Sequence, residues 1–295
     1  MTIRYIDPVF RPPSEARSLI LQVTNGCSWC RCTYCDMYTQ PQKRFSIKPP
    51  EEVLREIEWA GQRYHGIRRV FLADGDATAL STRRLLDILH AIRTHLPQVT
   101  RVASYCSPRN IVGKSDEDLK KLYAAGLKLV YVGAESGDDM VLRCIDKGET
   151  RQQTITALNR LADTGIRRSI MIINGLAGAR FSEQHAIHSA QLANESQPDY
   201  LATLVINLPH GDARFQRGFD GQYESLSQKG LFAELHQFMQ ALELKSSLFR
   251  SDHASNQLVL KGVLNKDKDK LLAQIQHAIN QPEHADLRPV WIRPF

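Results

Sequence analysis

The chain has 295 residues, 42% apolar and 24% charged, enough apolar material for one large core with an addition or for two modest ones. Its 38 Lys and Arg against 32 Asp and Glu leave a net charge of +6. Basic pairs such as Arg68-Arg69 and Arg167-Arg168 are scattered, which argues against a nucleic-acid tail and suits an acidic electron-donor protein. No apolar run approaches the roughly 20 residues that span a bilayer, and the first residues lack the apolar stretch of a secretory signal. The expected compartment is therefore the cytoplasm, where clustered cysteines serve metals or catalysis rather than disulfides.

Residues 1–17 carry Pro8, Pro12 and Pro13 and read as an irregular lead-in. Ser18 to Val23 predicts a buried strand, ended by the turn chemistry of Thr24-Asn25-Gly26. A helix is predicted from Pro50, with Val53, Ile57, Ala60 and Tyr64 on one face and Gly66 closing it. Val70 to Ala73 predicts a second strand, and Leu85, Leu89 and Ile92 mark a second helix. Strands near 99–105, 128–133, 167–174 and 199–206 then alternate with helices near 116–125, 150–164 and 181–195.

This rhythm calls for parallel βαβ units and an α/β sheet that is closed, partly closed or open. In each case the site lies at the carboxyl ends of the strands. There fall the cysteine loop, Asp74-Gly75-Asp76, Tyr105-Cys106, Gly133-Ala134-Glu135-Ser136, Asn174-Gly175-Leu176-Ala177-Gly178 and Pro209-His210-Gly211. Residues 209–225, rich in Gly, Asp and Arg, predict a long mobile connection, either a lid or disordered chain. Leu231, Leu235, Phe238 and Leu242 predict a further helix, Ser246 to Phe249 a strand, and Leu271, Ile275 and Ile279 a last helix. The tail from Trp291 to Phe295 either packs back or frays.

Four of the six cysteines lie between Cys27 and Cys35. As Cys27-x2-Cys30 and Cys32-x2-Cys35 they offer two zinc-type pairs, set closer together than closed zinc sites favour. As Cys27-x4-Cys32-x2-Cys35 they offer three thiolates to a cubane cluster and leave its fourth iron open to a ligand.

The segment Gly26-Cys27-x4-Cys32-x2-Cys35 after the first strand, with the aromatic Tyr34 before the last cysteine, resembles the three-cysteine motif of the radical S-adenosylmethionine superfamily. It has one residue more than the usual spacing. The resemblance implies a partial parallel (β/α)6 TIM-like barrel over residues 18–208 and fixes no function for the rest, so 209–295 is read from its own residues as a small C-terminal α+β extension, a lid or a substrate-selecting segment. It implies a [4Fe-4S] cluster on Cys27, Cys32 and Cys35. For S-adenosylmethionine, it assigns Gly75 and Asp76 to the methionine amino group, Glu135 and Ser136 to the ribose, and Asn174 and Gly175 to the adenine side. Here Asp74-Gly75-Asp76-Ala77 stands where the family's motif has Gly-Gly-Glu. The implied reaction is reductive cleavage to a 5′-deoxyadenosyl radical that takes hydrogen from a substrate.

A small-molecule substrate leads, with flavodoxin or ferredoxin as the type of reductant. Modification of RNA or a peptide is the second enzymatic reading, and a zinc-bound interaction protein without catalysis is the reading from another class. Outside the cofactor set, the candidates for catalysis are Cys106, placed to return a hydrogen atom, and His253, grouped with Asp252 and Asn256. Their simpler readings are a packed thiol and a turn or cap. Cys30 reads as a surface thiol, Cys144 as packing and His210 as a loop residue.

Overall fold

A computed structural model describes residues 2–289, so the expectation for Trp291 to Phe295 lies outside the described residues. In chain order, β1 (Leu19–Gln22), β2 (Thr24–Asn25) and β3 (Ser46–Ile47) precede α1 (Pro50–Arg63), and β4 (Arg69–Ala73) precedes α2 (Thr82–His95). β5 (Arg101–Tyr105) is followed by α3 (Pro108–Val112) and α4 (Asp116–Ala125), and β6 (Leu127–Glu135) by α5 (Asp139–Cys144) and α6 (Arg151–Asp163). β7 (Arg167–Asn174) leads to α7 (Gly178–Ser196), and β8 (Tyr200–Val205) to α8 (Ala213–Gly218) and α9 (Gln228–Ala241). β9 (Leu248–Ser251), β10 (Leu260–Val263) and α10 (Lys268–Asn280) complete the order.

The chain divides into two compact units. The first holds the residues up to Cys30, Cys35–Val132 and Ala157–Arg168; the second holds Arg31–Tyr34, Gly133–Thr156 and the residues from Ser169 onward. In the first unit β4 is the parallel neighbour of both β1 and β5, and β5 pairs in parallel with β6. Val70, Phe71, Leu72 and Ala73 are all buried, with none of the alternation of a half-exposed strand, because a parallel sheet is covered on both faces. Helix α1 buries Val53, Ile57 and Ala60, whereas Tyr64, expected on that face, is 44% exposed beyond the last turn. Helix α4 starts on a capping box between Ser115 and Asp118, which satisfies amides that the helix leaves unbonded.

In the second unit β7 and β8 pair in parallel from Ser169 beside Tyr200 to Asn174 beside Val205. The strand expected near 246–249 is β9, and it joins β8 in parallel, with β10 antiparallel to it. The result is a mostly parallel α/β fold that runs past the expected sixth strand. Among the described residues, no helix is long and apolar enough to cross a membrane.

Of the two readings expected over 209–225, a lid or disordered chain, the structure corrects the disordered one. Residues 213–218 form α8, and Phe215, Phe219 and Tyr223 pack ring on ring with centroids 4.6 to 5.3 Å apart. They bury against Val141, Leu142, Ile145, Ile173 and Leu176. Gly, Asp and Arg dominate the segment's composition, yet its aromatics recur every four residues, and burying three rings outweighs the turn propensity between them.

Candidate functional site

In the first unit the cysteine loop rises from the end of β1 and β2 over a buried ion pair. Lys43 and Asp74 are fully buried and joined through the Lys43 ammonium and Asp74 Oδ2. The same oxygen accepts from the Gly26 amide at 3.3 Å and from Gln22 Nε2 at 3.3 Å, so it pins the residue before Cys27. Asn25 Nδ2 donates to the carbonyls of Gln42 at 2.7 Å and Arg44 at 3.0 Å, which ties the loop's entry to its exit. Asp74, at the end of the second predicted strand, is a hub beneath the loop.

Tyr38 packs edge-on against Phe10 with ring centroids 5.5 Å apart, and its hydroxyl is buried. Burial, reinforced by the Asp74 charge, pushes its ionisation far above the usual phenol range and keeps it neutral. Asp76, also fully buried, accepts from the Ser28 hydroxyl, from Asn110 Nδ2 at 2.6 Å and from Thr78 Oγ1 at 3.1 Å. The Arg109 guanidinium lies 3.8 Å from the centre of the Trp29 ring, a cation–π contact that holds the loop to α3.

The loop's central residues, Arg31–Tyr34, belong to the second unit. Arg214 on α8 donates to the carbonyls of Cys32 and Thr33, both at 3.0 Å. The Thr33 amide bonds the Ile145 carbonyl at 2.9 Å, Arg31 pairs with Asp146 at 3.0 Å, and Tyr34 packs on the core of that unit. None of the six cysteines is in a disulfide; Cys27, Cys32 and Cys35 are half-buried and Cys30 is exposed, its backbone at φ 47°.

At the end of β6, Glu135 is buried with φ 65° and pairs with Lys147 at 3.4 Å. Its carboxylate folds back over Gly133, where an added Cβ would lie 2.0 Å from Glu135 Oε1; only glycine permits this return. Ser136 Oγ accepts the Asp138 amide at 2.9 Å and meets His185 Nδ1 at 2.8 Å, while His185 Nε2 lies 3.1 Å from the Ile173 carbonyl. A carbonyl only accepts, so Nε2 carries a proton directed at Ile173. One buried imidazole on α7 thereby links the Glu135-Ser136 segment to the residues just before Asn174.

Asp138 caps α5 through the Val141 amide at 3.0 Å and meets His188 Nδ1 at 2.6 Å. Burial pushes its carboxyl up, but the Val141 amide and His188 outweigh that and hold it below the ordinary value of 3.8. A lowered folded value contributes stability above the unfolded value and loses it as pH falls through the folded one. Asp138→Asn is therefore expected to melt below the wild type at pH 5, with the gap closing as pH drops below 3.8. Thermal unfolding followed by circular dichroism across that range checks it, and a gap independent of pH would contradict the assignment.

At the end of β7, Asn174 Nδ2 and the Gly175 amide both donate to Glu234, and the Gly175 carbonyl accepts from the Tyr223 hydroxyl at 2.8 Å. Burial, with the Glu234 charge adding to it, pushes the Tyr223 hydroxyl up to about 12.

Of the two catalytic candidates, Cys106 directly follows β5 and His253 lies between β9 and β10. Cys106 is buried, its thiol 3.7 Å from the Ser107 carbonyl. His253 Nδ1 accepts the Ser255 amide at 3.2 Å, a turn cap, and the exposed His210 follows β8. Asn256, placed beside His253 by sequence, is buried and completes the end of β8 through the Val205 amide at 2.8 Å and the Thr203 carbonyl at 2.8 Å. Cys144 ends α5, half-buried against the aromatic core. Lys43, His185, Arg214 and Glu234 escape sequence reasoning, because isolated polar residues carry no periodic signal and their partners lie 12 to 182 positions away.

Among the described residues, no three His, Cys, Asp or Glu side chains are gathered as a metal-holding group. The fit to an iron–sulfur cluster rests instead on the donor set: four thiols within one nine-residue loop, half-buried to exposed and outside any disulfide, the soft ligands such clusters take.

The chain resembles 4′-phospho-dehydrooxetanocin synthase of Priestia megaterium, 25% identical over 171 residues, covering 53% of this chain and 23% of that protein. It also resembles the heme chaperone HemW of Bacillus subtilis, 24% identical over 182 residues, 59% of this chain and 47% of that protein. It spans less than half the length of these curated relatives. The fold is similar to that of coproporphyrinogen III oxidase (HemN) of Escherichia coli, described as a radical SAM enzyme, with a TM-score of 0.55, 17% identity, and coverage of 76% of this chain and 51% of that one. The family model for the Radical SAM superfamily matches residues 21–190, more than half of the chain. With the three-thiol motif opening that match and the strand-end segments following in order, the chain belongs to the radical SAM superfamily, whose enzymes use a [4Fe-4S] cluster and S-adenosylmethionine.

Proposed function

We propose that this protein is a radical SAM enzyme of the cytoplasm, acting on a small-molecule substrate and reduced by a flavodoxin- or ferredoxin-type donor. The observation that carries the reading is the Cys27-x4-Cys32-x2-Cys35 loop at the carboxyl end of β1, anchored on a buried Lys43–Asp74 pair inside the matched family region. Cys27, Cys32 and Cys35 would hold the cluster, and Cys30, exposed beside them, stays out of the ligand set. When bound, cluster and S-adenosylmethionine together supply a 5′-deoxyadenosyl radical able to take a hydrogen atom.

The remaining roles belong to this chain's own residues. Gly75 and Asp76 receive the methionine amino group, and a carboxylate such as Glu135 suits the ribose diol because both hydroxyls donate to it. Ser136 orients that segment through His185, Asn174 and Gly175 serve the adenine side, and Tyr34 shields the loop. Residues 18–208 form the catalytic core, and 209–295 support it and select substrate.

Reconstitution without oxygen, reduction, addition of S-adenosylmethionine and quantification of 5′-deoxyadenosine test the proposal. Formation of the nucleoside by a brown, iron-loaded protein is the expected result. A colourless protein with stoichiometric zinc would replace it with the interaction-protein reading.

A further inference from the structure

Glu234 lies on α9, 60 positions from Asn174, and is 2% exposed. Oε1 accepts from Asn174 Nδ2 at 2.7 Å and from the Gly175 amide at 2.6 Å, and Oε2 accepts from Ser182 Oγ at 2.6 Å. Among the described residues, two titratable groups face it: His185, whose Nε2 is 3.9 Å away and directed to the Ile173 carbonyl, and Tyr223, whose hydroxyl is pushed up by burial and by the Glu234 charge. Burial of a carboxylate is costly unless donors replace its water, and here three protein donors do so. An amide in its place would turn one of its own N–H groups toward these donors, so the site asks for a carboxylate.

What Glu234 holds is a segment with little stiffness of its own. Gly175 sits at φ 84°, a conformation glycine reaches at no steric cost, and a Cβ there would lie 2.7 Å from Leu231 Cδ2. Its amide is taken by Glu234 and its carbonyl by the Tyr223 hydroxyl, so residues beyond 209 bond both of its backbone polar groups.

We infer that Glu234 is a positioning residue for S-adenosylmethionine, holding Asn174 and Gly175 in the shape that receives the adenine end of the cofactor. The inference rests on the assignment of Asn174 and Gly175 to the adenine side. It makes α9 part of the cofactor site and couples cofactor affinity to the C-terminal residues.

The test uses the full chain, reconstituted anaerobically, with two probes: S-adenosylmethionine by calorimetry, and L-methionine, which carries only the amino-acid half, by the change it produces in the electron paramagnetic resonance of the reduced cluster. Glu234→Ala is expected to weaken S-adenosylmethionine binding about tenfold while the methionine response matches the wild type. Glu234→Gln, which keeps one acceptor, is expected to recover part of the loss. If Glu234→Ala fails to fold, Glu234→Gln and Tyr223→Phe carry the test, each expected to bind about threefold more weakly. Wild-type affinity in Glu234→Ala, or in both milder variants, overturns the inference. An equal loss for both probes also overturns it, since that would reflect general damage. Failure of the wild type itself to bind S-adenosylmethionine overturns the underlying assignment instead.

Discussion

Cys27→Ala, Cys32→Ala and Cys35→Ala are each expected to lose the cluster and to make no detectable 5′-deoxyadenosine, whereas Cys30→Ala keeps both. A cubane bound by three thiolates has no spare protein ligand, so each deletion opens a second iron and destabilises the whole cluster. Cys30 differs in its surroundings: it is exposed at φ 47°, with its thiol 3.4 Å from the Tyr38 carbonyl. Iron and sulfide content after anaerobic reconstitution, read beside nucleoside yield, separates the two classes of variant. Loss of metal in all four, with zinc in the wild type, would favour a closed site on four thiolates. Full iron content in Cys32→Ala would sink the ligand assignment.

Breaking the Lys43–Asp74 pair should have the next largest effect. Both side chains are fully buried, and removing one partner leaves the other charged and without compensation, at a cost of about 3–5 kcal/mol. Denaturant unfolding of Lys43→Ala and Asp74→Ala, before cluster loading, is expected to show a midpoint well below that of the wild type. Lys43→Met with Asp74→Leu removes both charges and should regain most of the stability. That double variant still lacks the acceptor for the Gly26 amide, which the wild type meets at 3.3 Å, so it should fold yet take up cluster poorly. An unchanged midpoint in Asp74→Ala would contradict the burial argument. Normal cluster uptake by the stable double variant would show that Asp74 supports the fold without organising the loop.

Much of this architecture is legible without coordinates, because it rests on local and periodic signals. The apolar runs at Val70–Ala73 and Ile170–Ile173 announce buried parallel strands, and Val53, Ile57 and Ala60 mark one helix face. The crowding of Cys27, Cys30, Cys32 and Cys35 points to soft-metal chemistry before any fold is known. Tyr64 shows the limit of such reasoning: it continues the helical spacing, but the helix ends at Arg63 and the ring packs edge-on against Trp59 at the surface instead of entering the core. The stretch 209–225 shows a second limit, since composition counts Gly, Asp and Arg, whereas burial is decided by three rings and the surface they meet.

By itself, the sequence determined the α/β rhythm, the cysteine loop and the polar segments at the strand ends, since each is written in neighbouring residues. Tertiary structure alone decided that Asp74 lies beneath the loop with Lys43, that His185 links Ser136 to the Ile173 carbonyl, and that Glu234 binds Asn174 and Gly175. The physical reason is the same in each case. A buried polar group must find its partner wherever folding brings one, and a partner 12 to 60 residues away leaves no periodicity to read.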